Sequence, residues 1–551
     1  MNFKLFVVGI FCILLLVKVQ GQEWMRVYGD SVNTLIYKLA EHYDKGYLFS
    51  GSQYENAYFA HGLLMKTDIN GYQLWEKAYG FTDKYFQFFG SQIIEDGSIL
   101  EIGITNQISA SCHDPFIIKI NACGEKEWCR IYNAPGCNCD GYDIVNNPDG
   151  GFMALIDRWE TAEEKRIWLF RLDSIGEVIW AQAYATDPSF ESEWSHSLLK
   201  TSDSCYIITG EAYYPDLTYP NKWIIKIILI KVNLNGEVIF EVPWGTNNGI
   251  YSDGRLSTID TKNNIYTAGR RARKTAPYGD SPCLFKTSVT GEPIFYKDLK
   301  PYSTLGESGT INWFQDSTLV QCIDWFDTTD IDSTGLIKTD ALGNRISEKF
   351  IFLNKDDILR TSDITFNNRL ILAGGVYNPE TNNWQSYAFK FDSNLNYDSL
   401  YTTSFTYDSL CPHPIVSDTI SMDDCEVVIV GIDEAIQDPE KTKMHVFPNP
   451  ATNKITLELP TYLVKRTGGQ VRAGSKPAQG GSGFQATTVY HQWGSALLEA
   501  YDLYGRKMMG QLVLQADREV ELDVSQWQGG MYVFRLSYRG ETVATEKVVV
   551  E

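Results

Sequence analysis

Histidine is scarce in this chain, with seven in 551 residues, and none has the neighbours that nucleophilic or zinc chemistry needs. There is no nucleophile elbow, no zinc-binding helix motif and no Ser/His/Asp set, so the recognisable hydrolase signatures are excluded. Positive charge is short as well. Lys and Arg number 48 against 69 Asp and Glu, a formal net charge of −21. A surface this acidic repels nucleic acid and anionic membranes, so neither is expected as a partner. Long apolar runs are also missing. The longest, Leu5 to Val17, is too short to span a bilayer comfortably, so no membrane-spanning segment is expected in the mature chain. Paired carboxylates are plentiful, but only their separation in space would mark an acid and a base. Non-enzymatic binding is therefore the preferred reading.

The short apolar run instead belongs to a secretory signal peptide over residues 1–21. Lys4 supplies the positive n-region, and Val19 and Gly21 stand at −3 and −1 before Gln22. Cys12 lacks the small residues that precede a lipidated cysteine. Export puts the ten remaining cysteines in an oxidising compartment. Cys123 and Cys129 flank a predicted hairpin turn at Gly124-Glu125-Lys126, which suggests a cross-strand bridge. Cys411 and Cys425 bracket the exit from the repeats and suggest a second bridge. Cys205, Cys283 and Cys322 fall within or beside predicted strands, as buried apolar residues do. Cys137-Asn138-Cys139 near His113 offers a zinc alternative, but its spacing matches no common zinc motif.

What the chain has in abundance is repetition. A Lys/Arg-x-Asp/Asn-x-x-Gly turn, followed by a strand that opens on an aromatic residue, recurs from Lys66, Lys119, Arg171, Lys231, Lys286, Lys338 and Lys390, at spacings of 52 to 60 residues. Each repeat has room for four short strands, which is one propeller blade. In the first repeat these are Thr34 to Ala40, Gly46 to Gly51, Gly62 to Thr67 and Trp75 to Tyr79, here termed A to D. Trp75/Tyr79, Trp128/Tyr132 and Trp180/Tyr184 lie at i and i+4 and so share one face of the pleat. The glycine of each C–D turn, from Gly71 to Gly343, takes the positive-φ position. The seventh repeat has Leu395 there, and a different turn is expected.

Trp24-Met25-Arg26-Val27-Tyr28-Gly29 repeats the D signature ahead of the first full repeat. A stray D strand is what a closed ring uses as a latch on its last blade, burying open edges. The alternative, an open β-solenoid, has no use for one. The expected fold is all-β: a seven-bladed β-propeller over residues 22–430, a linker over 431–443, and a small Ig-like β-sandwich over 444–551.

With strand A innermost, the B–C loops and D–A links share one face, and that variable face is the expected place for function. Two segments stand out. In repeat four, Tyr213, Tyr214 and Tyr219 lead to Trp223, and such aromatics stack on sugars or anchor a protein partner; packing on one another is the plainer reading. In repeat five, Arg270, Arg271 and Arg273 form a basic island that suits an acidic glycan or carboxylates, or pairs with neighbouring acids. Asp327, Asp330 and Asp332 ahead of Gly335 offer oxygens for a structural Ca²⁺, although the spacing is not that of an EF-hand and a solvated acidic loop accounts for it. No other cofactor is expected.

The tail carries Pro448-Asn449-Pro450, then Tyr501-Asp502-Leu503-Tyr504-Gly505-Arg506, then Gly530-Met531-Tyr532, and a Lys547-led apolar end. These residues resemble the type A C-terminal sorting domain of the type IX secretion system of Bacteroidota. The resemblance covers about a fifth of the chain. It implies passage through the outer membrane, with the type IX machinery as partner, followed by release or attachment at the cell surface. Residues 461–490 form a longer, Gly-rich insertion than that pattern has, expected as a flexible loop. The repeats also resemble uncharacterised propeller-like repeats of secreted Bacteroidota proteins, which bring no known ligand. The expected function is that of an exported binding or adhesion protein for a glycan or protein ligand. The alternative is a secreted enzyme that degrades polysaccharide or peptide.

Overall fold

The computed structural model describes residues 23–29, 32–56, 59–81, 83–108, 112–133, 138–159, 165–184, 192–215, 223–244, 250–273, 280–300, 305–326, 333–351, 357–430, 444–459, 463–466, 488–491, 495–514, 519–538 and 541–551. Among them every regular element is a strand, and no helix is long and apolar enough to cross a membrane. The signal peptide, the 431–443 linker, Cys137, Tyr219 and the acidic triplet Asp327, Asp330 and Asp332 lie outside the described residues.

Among the described residues of this region, seven sheets follow one another, each built on four antiparallel strands and two of them extended by strands from further along the chain. The first comprises Asn33–Glu41, Tyr47–Asn56, Phe59–Thr67 and Gln73–Gly80, paired in that order, so the A to D assignment of the first repeat holds with longer strands. In the seventh unit, Asp357–Ile364, Leu370–Asn378 and Asn383–Phe391 supply A to C, and its fourth strand is Met25–Tyr28 from the N-terminus. The register runs from Met25 opposite Phe389 to Tyr28 opposite Ser386. The chain that follows adds no strand to that unit; isolated bridges join Tyr397 to Phe391 and Ser399 to Glu23 before it leads away. The A strands touch one another in sequence order, and Asp357–Ile364 touches Asn33–Glu41.

The repeated residues hold each unit to the next. The D-strand tyrosine donates its hydroxyl to the C–D glycine carbonyl of the following unit: Tyr79 to Gly124 at 2.8 Å, Tyr132 to Gly176 at 2.8 Å and Tyr184 to Gly236 at 3.0 Å. Tyr28 does the same to Gly71 at 2.9 Å, and Trp24 Nε1 donates to Ile69 O at 2.9 Å. The glycines are needed twice over. Gly71 has φ +75°, and a Cβ there would stand 2.7 Å from the Trp24 ring; one at Gly176 would stand 2.9 Å from Trp128. The Lys/Arg that opens the motif reaches back to the A–B turn of its own unit: Lys66 to Asp44 at 2.7 Å, Lys231 to Asp203 at 2.8 Å and Lys338 to Asp316 at 3.0 Å. Lys66 and Asp44 are both fully buried, and the ammonium, the His42 contact and the Asp408 amide hold the Asp44 carboxyl below its ordinary range despite burial.

Three expectations are corrected. Leu395 adopts φ +65°, and its amide bonds Asp392 O at 3.0 Å, so the seventh repeat keeps the same turn with a side chain in the glycine position. The cysteines pair across the fold rather than locally, as Cys123–Cys411 and Cys129–Cys425. The reason is the path of the segment after the seventh unit. It crosses the outer edges of the first two units, where Asp418–Ser421 pairs in parallel with Gln73–Gly80 and Glu426–Val430 with Lys126–Asn133. Lys77 pairs with Asp418 at 2.5 Å and Arg130 with Glu426 at 3.0 Å. Pieces of the Gly-rich insertion extend this edge: Thr488–His491 pairs with Ile429 and Val430, and Leu463–Arg466 pairs with Thr488–His491. Within the insertion, those two stretches are strands rather than loop.

The C-terminal portion builds two sheets around one core. His445–Phe447, Lys454–Glu458 and Glu519–Asp523 form one; Lys507–Leu514, Ser495–Asp502, Gly530–Tyr538 and Glu541–Val550 form the other. Ile455, Leu457, Leu498, Phe534 and Val548 are buried between them.

Candidate ligand-binding site

Every A strand carries one extra residue against its B strand, a β-bulge at the same place in each unit. The residues skipped by the ladder are Tyr37, Phe89, Tyr142, His196, Arg255, Gly309 and Arg360. All seven line a cavity of ≈ 930 Å³ between the A strands. In five units the opposing B strand has glycine where the bulged backbone comes closest, while the third and sixth have Ile156 and Ile323 there. A Cβ at Gly51 would stand 2.0 Å from Leu35 O, one at Gly103 1.8 Å from Gln87 O, and one at Gly374 2.1 Å from Ile358 O. This glycine recurs in only five of the seven B strands, so it marks a close approach without by itself locating a bulge.

The seven residues are not alike. Tyr37, Phe89 and Tyr142 form an aromatic arc, with Tyr37 edge-on to Phe89 at 5.3 Å and Phe89 near-parallel to Tyr142 at 5.9 Å between centroids. The Tyr37 hydroxyl accepts from Gln87 Nε2 at 2.8 Å and meets Tyr54 Oη at 3.1 Å, which fixes the ring. Tyr142 accepts from Lys165 at 3.2 Å, and burial pushes its hydroxyl up to about 12. The Lys165 ammonium also lies 4.3 Å from the Trp194 centroid and 3.1 Å from the buried Asp157 carboxylate. The aromatic arc is therefore backed by a saturated polar layer.

The other arc is basic and titratable. His196 Nε2 lies 3.7 Å from Glu211 Oε1, which also accepts from Tyr213 Oη at 2.9 Å. Burial raises the Glu211 carboxyl, but His196, Arg255 and Tyr213 together bring it below its ordinary value. Charge also lies on the aromatic side, where Lys38 beside Tyr37 pairs with Asp143 beside Tyr142 at 3.1 Å, and Asp143 accepts the Leu198 amide at 2.9 Å. Burial pushes Asp363 up to about 7. The Arg360 guanidinium sits 5.6 Å from the Tyr37 centroid, where the two arcs meet.

The residues singled out from sequence are divided by strand alternation. Tyr213 and Tyr214 lie on the strand Tyr206–Pro215, not on a loop, and face opposite sides. Tyr213 reaches the cavity, whereas Tyr214 packs under Lys226 at 4.2 Å. Arg270 and Arg271 on Ile265–Arg273 divide likewise. Arg270 lines the cavity; Arg271 bonds Tyr296 Oη and Asp298, each at 3.0 Å. Trp223 and Arg273 are placed as strand backbone, and their side chains lie outside the description. Among the described residues no group of His, Cys, Asp and Glu could hold a metal ion. The cavity is carried by strands, not by the variable loops.

In the tail, the side chain of Asn449 clamps the final strand, donating to Lys547 O and accepting from Val549 N, each at 2.9 Å. Asp502 caps its turn by accepting from the amides of Tyr504 and Arg506 at 2.9 Å, with Gly505 at φ +77°. Tyr532 Oη donates to Gln528 O at 2.7 Å, just before Gly530 opens its strand.

The fold alone defines an all-β repeat protein, and several solved structures resemble it. A protein of unknown function from Dyadobacter fermentans is 8% identical, with 67% of this chain and 98% of that chain covered and a TM-score of 0.40. An ulvan lyase of a polysaccharide lyase family is 8% identical, covering 63% and 93%, with a TM-score of 0.44. Drosophila Plexin A, solved in complex with Semaphorin 1b, is 9% identical, covering 67% and 87%, with a TM-score of 0.38. No curated protein matches the chain. Residues 485–551 match the family described as Secretion system C-terminal sorting domain. The protein is thus sorted to the cell surface or the extracellular space, and its sorting domain engages the type IX secretion machinery.

Proposed function

We propose that this protein is an exported seven-bladed β-propeller that binds a glycan in its axial cavity and is delivered by its sorting domain. The contacts between successive A strands, including the seventh with the first, support the ring, as does the Trp24/Tyr28 latch. The observation that carries the binding reading is the asymmetry of the seven bulge residues. A purely structural channel has no need for aromatics on one side and His196, Arg255 and Arg360 on the other. Stacked aromatic faces suit the apolar faces of pyranose rings, and the polar arc suits hydroxyls and charges. On a glycan array, Phe89→Ala, which removes a half-buried ring that makes no hydrogen bond through its side chain, is expected to abolish signal while leaving the fold intact. A blank array for the unaltered protein would sink the glycan reading and move the weight to a protein ligand.

One observation favours an enzymatic reading. His196, Glu211 and Tyr213 meet at the axis in one unit only, with Arg255 beside them. An imidazole oriented by a carboxylate can accept a proton, and a neighbouring guanidinium can steady the negative charge that results. If bound glycan is shortened on incubation and His196→Ala stops this while binding persists, the enzyme reading displaces the binding one.

A further inference from the structure

Charge in the cavity runs against charge on the chain. Among the described residues its walls carry five cations, Lys38, Lys200, Arg255, Arg270 and Arg360, and three carboxylates, Asp143, Glu211 and Asp363, in a protein whose net charge is −21. Two of those carboxylates are already committed, Asp143 to Lys38 and the Leu198 amide, and Glu211 to His196 and Tyr213. Asp363 accepts the Ile364 amide at 2.7 Å, and burial disfavours its charged form. Arg360 and Lys200 make no ion pair among the described residues. Two cations without an ion pair on the wall of this cavity make a local anion site against the long-range field of an acidic protein.

We infer, resting on the glycan reading, that the ligand is an acidic oligosaccharide whose carboxylate or sulfate groups pair with Arg360 and Lys200. Its sugar faces then stack on Tyr37, Phe89 and Tyr142. Guanidinium groups present paired donors that match either oxyanion. Gly309 supports an extended ligand. It is the one bulge position without a side chain, flanked in ring order by Arg255 and Arg360. A Cβ there would meet only Leu359 Cδ2 at 3.7 Å and Cys322 O at 3.9 Å. Local packing would accept a larger residue, so the missing side chain leaves a gap between two arginines through which a chain can pass.

The test is calorimetric titration of the full secreted protein with four probes: an oligogalacturonate, a sulfated oligosaccharide, a neutral cello-oligosaccharide and oligoglutamate. Binding by either acidic saccharide, weakened at least about tenfold by Arg360→Gln and further by added NaCl, is expected; which of the two binds identifies the anion. Gly309→Tyr, which leaves charge unchanged, is expected to block the same ligand. Equal binding of the neutral probe would overturn the acidic inference while leaving the glycan reading standing. Binding of oligoglutamate alone, or of no probe, would overturn both. Acidic binding unaffected by both Arg360→Gln and Gly309→Tyr would put the ligand outside the cavity and overturn the assignment.

Discussion

Among single residues, Glu101 has the most consequential environment. It is fully buried on the second B strand, accepts from Ser50 Oγ at 2.5 Å and Ser91 Oγ at 2.7 Å, and burial pushes it from an ordinary 4.5 up to about 8. An acid whose folded value is raised stabilises the fold when protonated. That contribution is complete below its ordinary value and is lost as pH rises through the folded one. Stability should therefore fall between about pH 4.5 and about 8, and Glu101→Gln should flatten that part of the curve. Urea midpoints across this range check it; an unchanged slope in the variant would assign the dependence elsewhere. Nothing in the sequence marks Glu101, because its pKa follows from neighbours that only the assembled units bring together.

Among elements, the N-terminal strand matters beyond its four residues. Trp24 is fully buried against Ile69 and Gly71 of the first unit, while Met25–Tyr28 completes the seventh. Trp24→Ala should cost about 3–5 kcal/mol, as large buried aromatics do. Tyr28→Phe, which loses only the bond to Gly71 O, should cost about 1 kcal/mol. Denaturant unfolding of the two variants separates them, and similar small losses would mean that the strand is peripheral. This element was legible in the sequence because it repeats a known strand signature out of place. The bulges were not, since a bulge is defined by the partner strand it fails to match.

At the scale of the molecule, the segment after the seventh unit binds the outer edges of the first two. Its disulfides Cys123–Cys411 and Cys129–Cys425 close loops of 288 and 296 residues. Loops of that size constrain the unfolded chain strongly, so reduction should lower stability by about 2–5 kcal/mol. Unfolding with and without reductant tests this, and equal midpoints would show that the parallel strands and ion pairs suffice to hold the segment. The match over residues 485–551 and the two-sheet core of the C-terminal portion belong to the same scale, since export delivers the chain to the oxidising side where these bridges persist.

The period of the repeats, the D-strand aromatics, the turn glycines, the latch and the sorting motifs could all be read along the chain. Each rests on local backbone preference or on spacing within one unit. Which cysteines pair, which of Tyr213 and Tyr214 or Arg270 and Arg271 reaches the cavity, and which seven bulge residues line it were decided only by tertiary structure. These depend on register and on the meeting of strands hundreds of residues apart, and a one-residue bulge is enough to turn a side chain from the sheet toward the cavity.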